Sequence, residues 1–244
     1  MSKFSKAGAV TRQVFVYCFL AASHTAIFPA ARAGYFGNVQ GGTDFPQGSA
    51  SFADAVVDYA PGLVGANPTI PYRGAFNALG LPDYPGGVNA GSQQEASFVT
   101  LGTGGSIVLR FDDNKLTGSG DNSLDLWVFE VGPDVEDTFI DISPDGQIWY
   151  SVGKVFGNTS GIDIDAFGFT ATDRFAFVRL TDDPNEGDQD GITVGADIDA
   201  VGAISTLLTS VPEPGTPAIV AASIAFAALV LVRKRQSRIS APSE

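Results

Sequence analysis

The side chains in this chain with the most chemistry on offer are carboxylates. Asp163-Ile164-Asp165-Ala166 is echoed 34 residues later by Asp197-Ile198-Asp199-Ala200. In an extended strand each triplet sets two carboxylates on one face and an isoleucine on the other, because strand side chains alternate. Between the echoes, the run from Asp182 to Gly191 gathers Asp182, Asp183, Asn185, Glu186, Asp188 and Asp190 around Gly187, which permits a sharp turn. Clustered side-chain oxygens suit a hard cation: Ca²⁺ takes about six to eight of them, with extracellular affinities of roughly 10⁻⁴ to 10⁻³ M. The candidate ligands are Asp163, Asp165, Asp183, Asn185, Asp188, Asp190, Asp197 and Asp199, and the expectation is at least one structural Ca²⁺. A solvated acidic surface would use the same residues.

The spacing between Asp183 and Asp190 resembles the D-x-N-x-x-D-x-D loops that hold calcium in extracellular proteins. The EF-hand spacing is not met, since Gly187 stands where a ligand would and no Glu closes the loop at its twelfth position. Paired carboxylates also serve glycoside cleavage, and Asp125 with Glu130, or Asp112 with Asp113, are the pairs to consider. Acids this numerous always offer such pairs, and no motif marks one as a raised-pKa acid, so no catalytic residue is expected.

The chain has one Cys, one His and one Met, and Cys18, His24 and Met1 all fall in the first 33 residues. That opening carries Lys3, Lys6 and Arg12, an apolar run from Val14 to Ala31, then Ala31-Arg32-Ala33: the layout of a secretory signal with an A-x-A cleavage site. A mature chain starting at Gly34 therefore has no residue for a disulfide, a Cys- or His-ligated zinc, haem ligation by His or Cys, or a Ser-His-Asp triad.

Near the other end, Ala218 to Val232 is apolar over 15 residues, short of the roughly 17 to 25 of a full span. Arg233-Lys234-Arg235 and Arg238 follow it, which keeps that end cytoplasmic. Pro212-Glu213-Pro214 precedes it. These three parts in this order, over residues 211 to 238, resemble the PEP-CTERM sorting signal of exopolysaccharide-making Gram-negative bacteria, with residues 239 to 244 as a tail. The resemblance implies processing by an exosortase, transient membrane attachment, and a destination in the outer envelope, at the cell surface or in the extracellular matrix. An ordinary single-span anchor behind a Pro-rich stalk is the plain alternative.

Between the two lies a core of 177 residues, Gly34 to Ser210, the size of one domain able to bury about 70% of its unfolded surface. It holds 6 basic and 25 acidic residues, a net charge of −19. Such a field repels phosphates and excludes nucleic acid as a partner. Short β-branched and aromatic runs predict strands at Phe98 to Leu101, Ser106 to Phe111, Leu124 to Val131, Thr138 to Ser143, Trp149 to Val155, Arg174 to Leu180 and Asp197 to Ile204. Gly- and Pro-rich turns separate them, so the fold class is an all-β antiparallel sandwich. One short helix is expected, with Phe52, Ala55, Val56 and Tyr59 on one face behind Ser51. Residues 60 to 97 read as long loops.

Ser143-Pro144-Asp145-Gly146-Gln147-Ile148-Trp149, followed by Arg174-Phe175-Ala176-Phe177-Val178-Arg179-Leu180-Thr181, resembles the paired S-x-D-G-x-x-W and R-Y-V-R-I signature of discoidin-type, galactose-binding-like jelly rolls. The likeness covers roughly residues 98 to 204. It implies a jelly-roll topology, Trp149 packed across the sandwich, and a sugar site carried on loops. The loop aromatics Tyr35, Phe36, Tyr59, Tyr72 and Tyr84 are then candidates to line a ligand surface. Two functions stay open: a matrix or surface component associated with exopolysaccharide, and a carbohydrate-binding module with a defined sugar site. A glycoside-active enzyme is the remote third.

Overall fold

In the computed structural model, the structure describes residues 32–86, 96–131, 136–157, 160–187 and 190–209. The leader up to Ala31, the segment 210–244 with its sorting motif and apolar run, and the loop position Asp188 lie outside them. Among the described residues no helix is long and apolar enough to cross a membrane.

Among the described residues thirteen strands form antiparallel pairs: β1 (Gly34–Asn38), β2 (Gly41–Phe45), β3 (Ala55–Ala60), β4 (Val99–Thr100), β5 (Ser106–Arg110), β6 (Asn114–Leu116), β7 (Leu126–Glu130), β8 (Thr138–Ser143), β9 (Tyr150–Val155), β10 (Ser160–Ile162), β11 (Phe177–Asp182), β12 (Asp197–Ala203) and β13 (Thr206–Leu208). They build a four-stranded sheet in the order β10-β7-β12-β4 and a five-stranded sheet in the order β3-β5-β11-β8-β9. The pairs β1-β2 and β13-β6 stand apart. The seven strands expected from 98 onward are all present, with ends shifted by up to three residues.

The alternation explains the core. Ile107 and Leu109 of β5, Ile140 and Ile142 of β8, and Val178 and Leu180 of β11 are fully buried and meet Leu126 and Val128 of β7 and Ile198 and Val201 of β12 in one cluster. Two sheets thus face each other across an apolar layer, a β-sandwich. Arg179 leaves that layer and pairs with Asp141 at 2.7 Å on the outer face of the larger sheet.

The outer face of the four-stranded sheet is also covered. Phe129 and Ala200 point outward from it and are buried under Phe45 and Phe52, with Phe36 and Trp127 at the edge. Beside them Tyr72, Phe98 and Val131 form a third cluster that Tyr84 joins. Residues 36–52, together with Tyr72 and Tyr84 from the segment expected to be loops, therefore form a lid on one sheet, and every residue of β12 is buried.

Two expectations are corrected. Residues 52 to 59 are not helical: a 3₁₀ turn at Gly48–Ser51 precedes β3, and the ladder between β3 and β5 slips between Val56 and Asp58. The bulge turns Val56 and Tyr59 to the same side, giving a three-residue spacing that mimics a helix. Trp149 does not pack across the sandwich. It is half-buried outside the larger sheet, where the Arg179 guanidinium lies 4.6 Å from its ring centroid.

Candidate functional site

The acids fall into three structural settings. The first forms where β10 runs out. Ile162 ends the strand, Ile164 is fully buried, and the chain turns into a short 3₁₀ segment, Asp165–Phe167. Asp163 Oδ1 accepts the Asp165 N–H at 2.9 Å, so a turn, not strand alternation, brings the two carboxylates together. Asp165 Oδ2 accepts the N–H groups of Ser119 (2.8 Å) and Gly120 (3.2 Å), tying in the neighbouring loop. Gly118 in that loop lies so close that an added Cβ would sit 2.7 Å from Asp165 Oδ2.

The third member is Asp125, at the entry to β7. It is completely buried, and its Oδ2 accepts the Ile164 N–H at 2.9 Å. No donor meets its Oδ1 with hydrogen-bond geometry. Burial raises the Asp125 pKa, opposed by the Ser205 hydroxyl, the Ile164 N–H and the Ser119 hydroxyl. Asp125, Asp163 and Asp165 each offer an oxygen, and the three lie within 4.8 Å of one another.

In the second setting Asp137, Asp183 and Glu186 are as closely grouped, but a cation is already built in. Lys154 Nζ lies 2.7 Å from Asp137 Oδ2 and 2.7 Å from Asp183 Oδ2. The Asp137 and Asp183 contacts hold the lysine pKa above its ordinary value, and Lys154 in turn lowers that of Asp183. Asp183 Oδ1 accepts both the backbone N–H and the side-chain amide of Asn185 at 3.0 Å, so these two candidates brace a turn. Asp190 is exposed.

The third setting is β12. Asp197 and Asp199 were expected to share one strand face as candidate ligands, with a solvated acidic surface as the alternative; both are buried, and the β12-β7 ladder slips between Ile198 and Ala200. Asp197 takes the Thr100 hydroxyl, and burial pushes its pKa well up, with Glu130, Glu136 and Asp182 adding repulsion. Asp199 accepts the Asn38 amide at 2.9 Å and the N–H groups of Asp83 (3.1 Å) and Tyr84 (3.3 Å). Desolvation still raises it to about 6. These acids hold the lid to the sheet. Asp182 does similar work, accepting from Gly104 N and Ala196 N, both at 2.8 Å.

The carboxylate pairs considered for glycoside cleavage are placed as follows. Asp125 and Glu130 stand at opposite ends of β7, five residues apart, about 16 Å at strand rise; that exceeds the roughly 5 to 9.5 Å such a pair needs. Asp112 is paired with Arg110 at 2.5 Å and lowered by it, while burial raises Asp113 beside Asp54. A cleft of about 240 Å³ is lined by Phe76, Asn77, Leu79, Asp83, Ala96 and Ser97 and includes neither pair. Of the loop aromatics, Tyr72 is buried and stacks on Phe98 at 5.5 Å, Tyr84 meets the same ring edge-on, and the Tyr59 hydroxyl donates to Thr100 O at 2.6 Å. Phe36 packs on Phe52, and Tyr35 is exposed.

Asp137 and Lys154 were not singled out, and Asp125 and Glu130 only as a candidate acid and base pair. Asp125 and Glu130 did carry a signal: each is a lone acid bounding or interrupting an apolar run, Leu124 to Val131, that reads as buried on both faces.

No family model matches the chain, and no curated protein matches it. Among solved structures, the chain is similar to the C-terminal domain of a chitobiase from Bacteroides fragilis, at 12% identity and a TM-score of 0.28. The match covers 43% of this chain and 64% of that one, so the chain spans less than two thirds of that domain's length.

Proposed function

We infer that this chain is an exported, exosortase-sorted, non-catalytic component of a Gram-negative outer envelope, cell surface or extracellular matrix, associated with exopolysaccharide and stabilised by calcium. The observation that carries the reading is the three-part segment Pro212-Glu213-Pro214, Ala218 to Val232, and Arg233-Lys234-Arg235, paired with an N-terminal leader. Its partners are then the exosortase-type machinery, the inner membrane before processing, and the matrix glycan. A discoidin-like jelly roll is the finer topology that goes with it, and a −19 core suits a solvated matrix protein that repels its neighbours' phosphates.

The test is fractionation of an exopolysaccharide-making host that carries an exosortase. The wild-type chain should reach the surface or matrix fraction, and a variant with Pro212, Glu213 and Pro214 all changed to Ala should stay with the inner membrane. Equal distribution of the two overturns the reading.

A carbohydrate-binding module is the second reading, favoured by a ledge on the larger sheet where Lys154 Nζ lies 5.2 Å from the Phe139 ring and 5.5 Å from the Phe156 ring, both rings exposed. Saturable binding to one glycan class, competed by its free sugar and lost on Phe156→Ala, would favour the module. Weak, multivalent retention favours the matrix component.

A further inference from the structure

We propose that the cleft beside the 3₁₀ turn Ala75–Ala78 is a sugar site that takes one neutral pyranose ring of the matrix glycan. The cleft encloses about 240 Å³, a little under the roughly 300 to 1,000 Å³ of drug-sized sites, so it admits a single ring and leaves the rest of a polymer outside. Its walls are anchored from different sides. Ala78 is fully buried, and Ala75 and Leu79 pack on the central cluster, so the turn that carries Phe76 and Asn77 is fixed. The Asp83 N–H donates to Asp199 Oδ1 at 3.1 Å, which ties the next wall to β12. Ala96 and Ser97 are tied in through the Asn77 amide, which donates to Ala96 O and, at 3.2 Å, to Phe98 O. A site on anchored walls needs little reordering when a ligand enters.

The lining names the ligand. Asn77 spends its NH₂ on the two carbonyls, which orients its Oδ1 as an acceptor; the Asp83 carboxylate is a second acceptor, and the Ser97 hydroxyl accepts or donates. Phe76 is 66% exposed although its neighbours in the turn are held in the core, so it offers an aromatic face to solvent beside those oxygens. The matching partner carries several O–H donors, an apolar C–H face and no negative charge, which describes a neutral pyranose. None of the six lining residues is basic, and Asp83 within a core of net charge −19 repels a uronate, sulfate or phosphate. The cleft is built mainly by residues before position 98, outside the stretch that resembles discoidin-type jelly rolls, and it shares no residue with the Phe139 and Phe156 ledge. The inference rests on the glycan association proposed above and adds the charge class of the sugar and its place on the chain.

The experiment uses the purified full-length chain and saturation-transfer NMR, with methyl β-D-glucopyranoside, methyl β-D-galactopyranoside, methyl α-D-mannopyranoside and methyl β-D-glucuronide as probes. At least one neutral glycoside should bind with a dissociation constant on the order of 1 mM, and the glucuronide should receive no saturation. Phe76→Ala should weaken that binding about 3- to 10-fold through lost stacking, and Asp83→Ala about 10- to 100-fold through loss of a charged acceptor. Both side chains are exposed, and position 83 keeps its backbone bond to Asp199, so neither change reaches the core. A polymer can meet the ledge as well, but a single ring reads the cleft alone, so Phe156→Ala should leave glycoside binding unchanged. No transfer to any neutral glycoside, preference for the glucuronide, or undiminished binding in Phe76→Ala or Asp83→Ala overturns the assignment. Retention of the wild-type chain on the host's exopolysaccharide is measured alongside: retention without glycoside binding overturns the cleft and leaves glycan association standing, and glycoside binding without retention does the reverse.

Discussion

Asp199 makes the stability of this domain run against the usual acid-denaturation trend. Its carboxyl is buried under the lid, 1% exposed, and receives three donors, yet desolvation outweighs them and raises its pKa from 3.8 to about 6. A group whose folded pKa is raised stabilises the native state fully below its unfolded pKa and loses that contribution as pH climbs through the folded value. The gap of about two pH units corresponds to at most about 3 kcal/mol, and Asp197, raised by burial as well, adds in the same direction. Acids with the opposite sign, such as Asp112 held down by Arg110 and Asp183 by Lys154, lose their contribution on the acid side, as pH falls. The window is therefore pH 4 to 7, over which Tm in buffer free of divalent cations should fall by about 6 to 12 °C. Circular-dichroism melts at pH 4, 5, 6 and 7 read this directly. Asp199→Asn should flatten the slope while lowering Tm slightly at pH 4, because its NH₂ meets a backbone N–H where a carboxyl oxygen had accepted, a loss of about 1 kcal/mol. A wild-type Tm that rises from pH 4 to 7, or an Asp199→Asn slope equal to wild type, refutes the reasoning.

Two further outcomes follow from geometry. A Cβ at Gly105 would lie 1.9 Å from Leu101 O and 2.3 Å from Gly62 N, both backbone atoms with no freedom to swing away, so Gly105→Ala should destabilise by about 1 to 3 kcal/mol in denaturant titration; a change below the error of the titration contradicts the packing of that turn. Lys154→Met leaves Asp137 and Asp183 facing each other without their shared cation, so Tm should drop at pH 7 and the deficit should shrink below pH 3, where the carboxyls gain protons; a pH-independent deficit would trace the loss to packing on Phe139 and Phe156 instead.

Where one residue type alternated with another, the chain could be read directly: Ile107-Val108-Leu109 and Thr138 to Ser143 became strands β5 and β8 at nearly the expected ends. Legibility failed where a bulge broke the alternation. The slip at Val56 produced a false helical spacing, and Asp197 and Asp199, on the face of β12 away from the core, are buried because the lid covers that face, which alternation does not encode. The β1-β2 hairpin was missed because Gly34, Gly37, Gly41 and Gly42 carry no side chain to show a pattern, and it is held in place by Phe36 and Phe45 packing on Phe52 and by Phe45 meeting Phe129 from far along the chain. The candidate metal residues divided likewise. Asp163 and Asp165 could be named from their spacing, but Asp125 joins them only through the β10-β7 pairing, and Lys154 reaches Asp183 only through the β8-β9 edge of the other sheet. Which acids have a cation and which lack one is a property of tertiary contact, which spacing does not encode.

The central claim is that the chain is exported and trimmed at both ends, and intact-mass spectrometry of the protein recovered from the native host's envelope and culture medium tests it most directly. The account gives a chain that begins at Gly34 and is shortened within its C-terminal sorting segment. A full-length chain of 244 residues, retained in the cytoplasm with its leader in place, would contradict it.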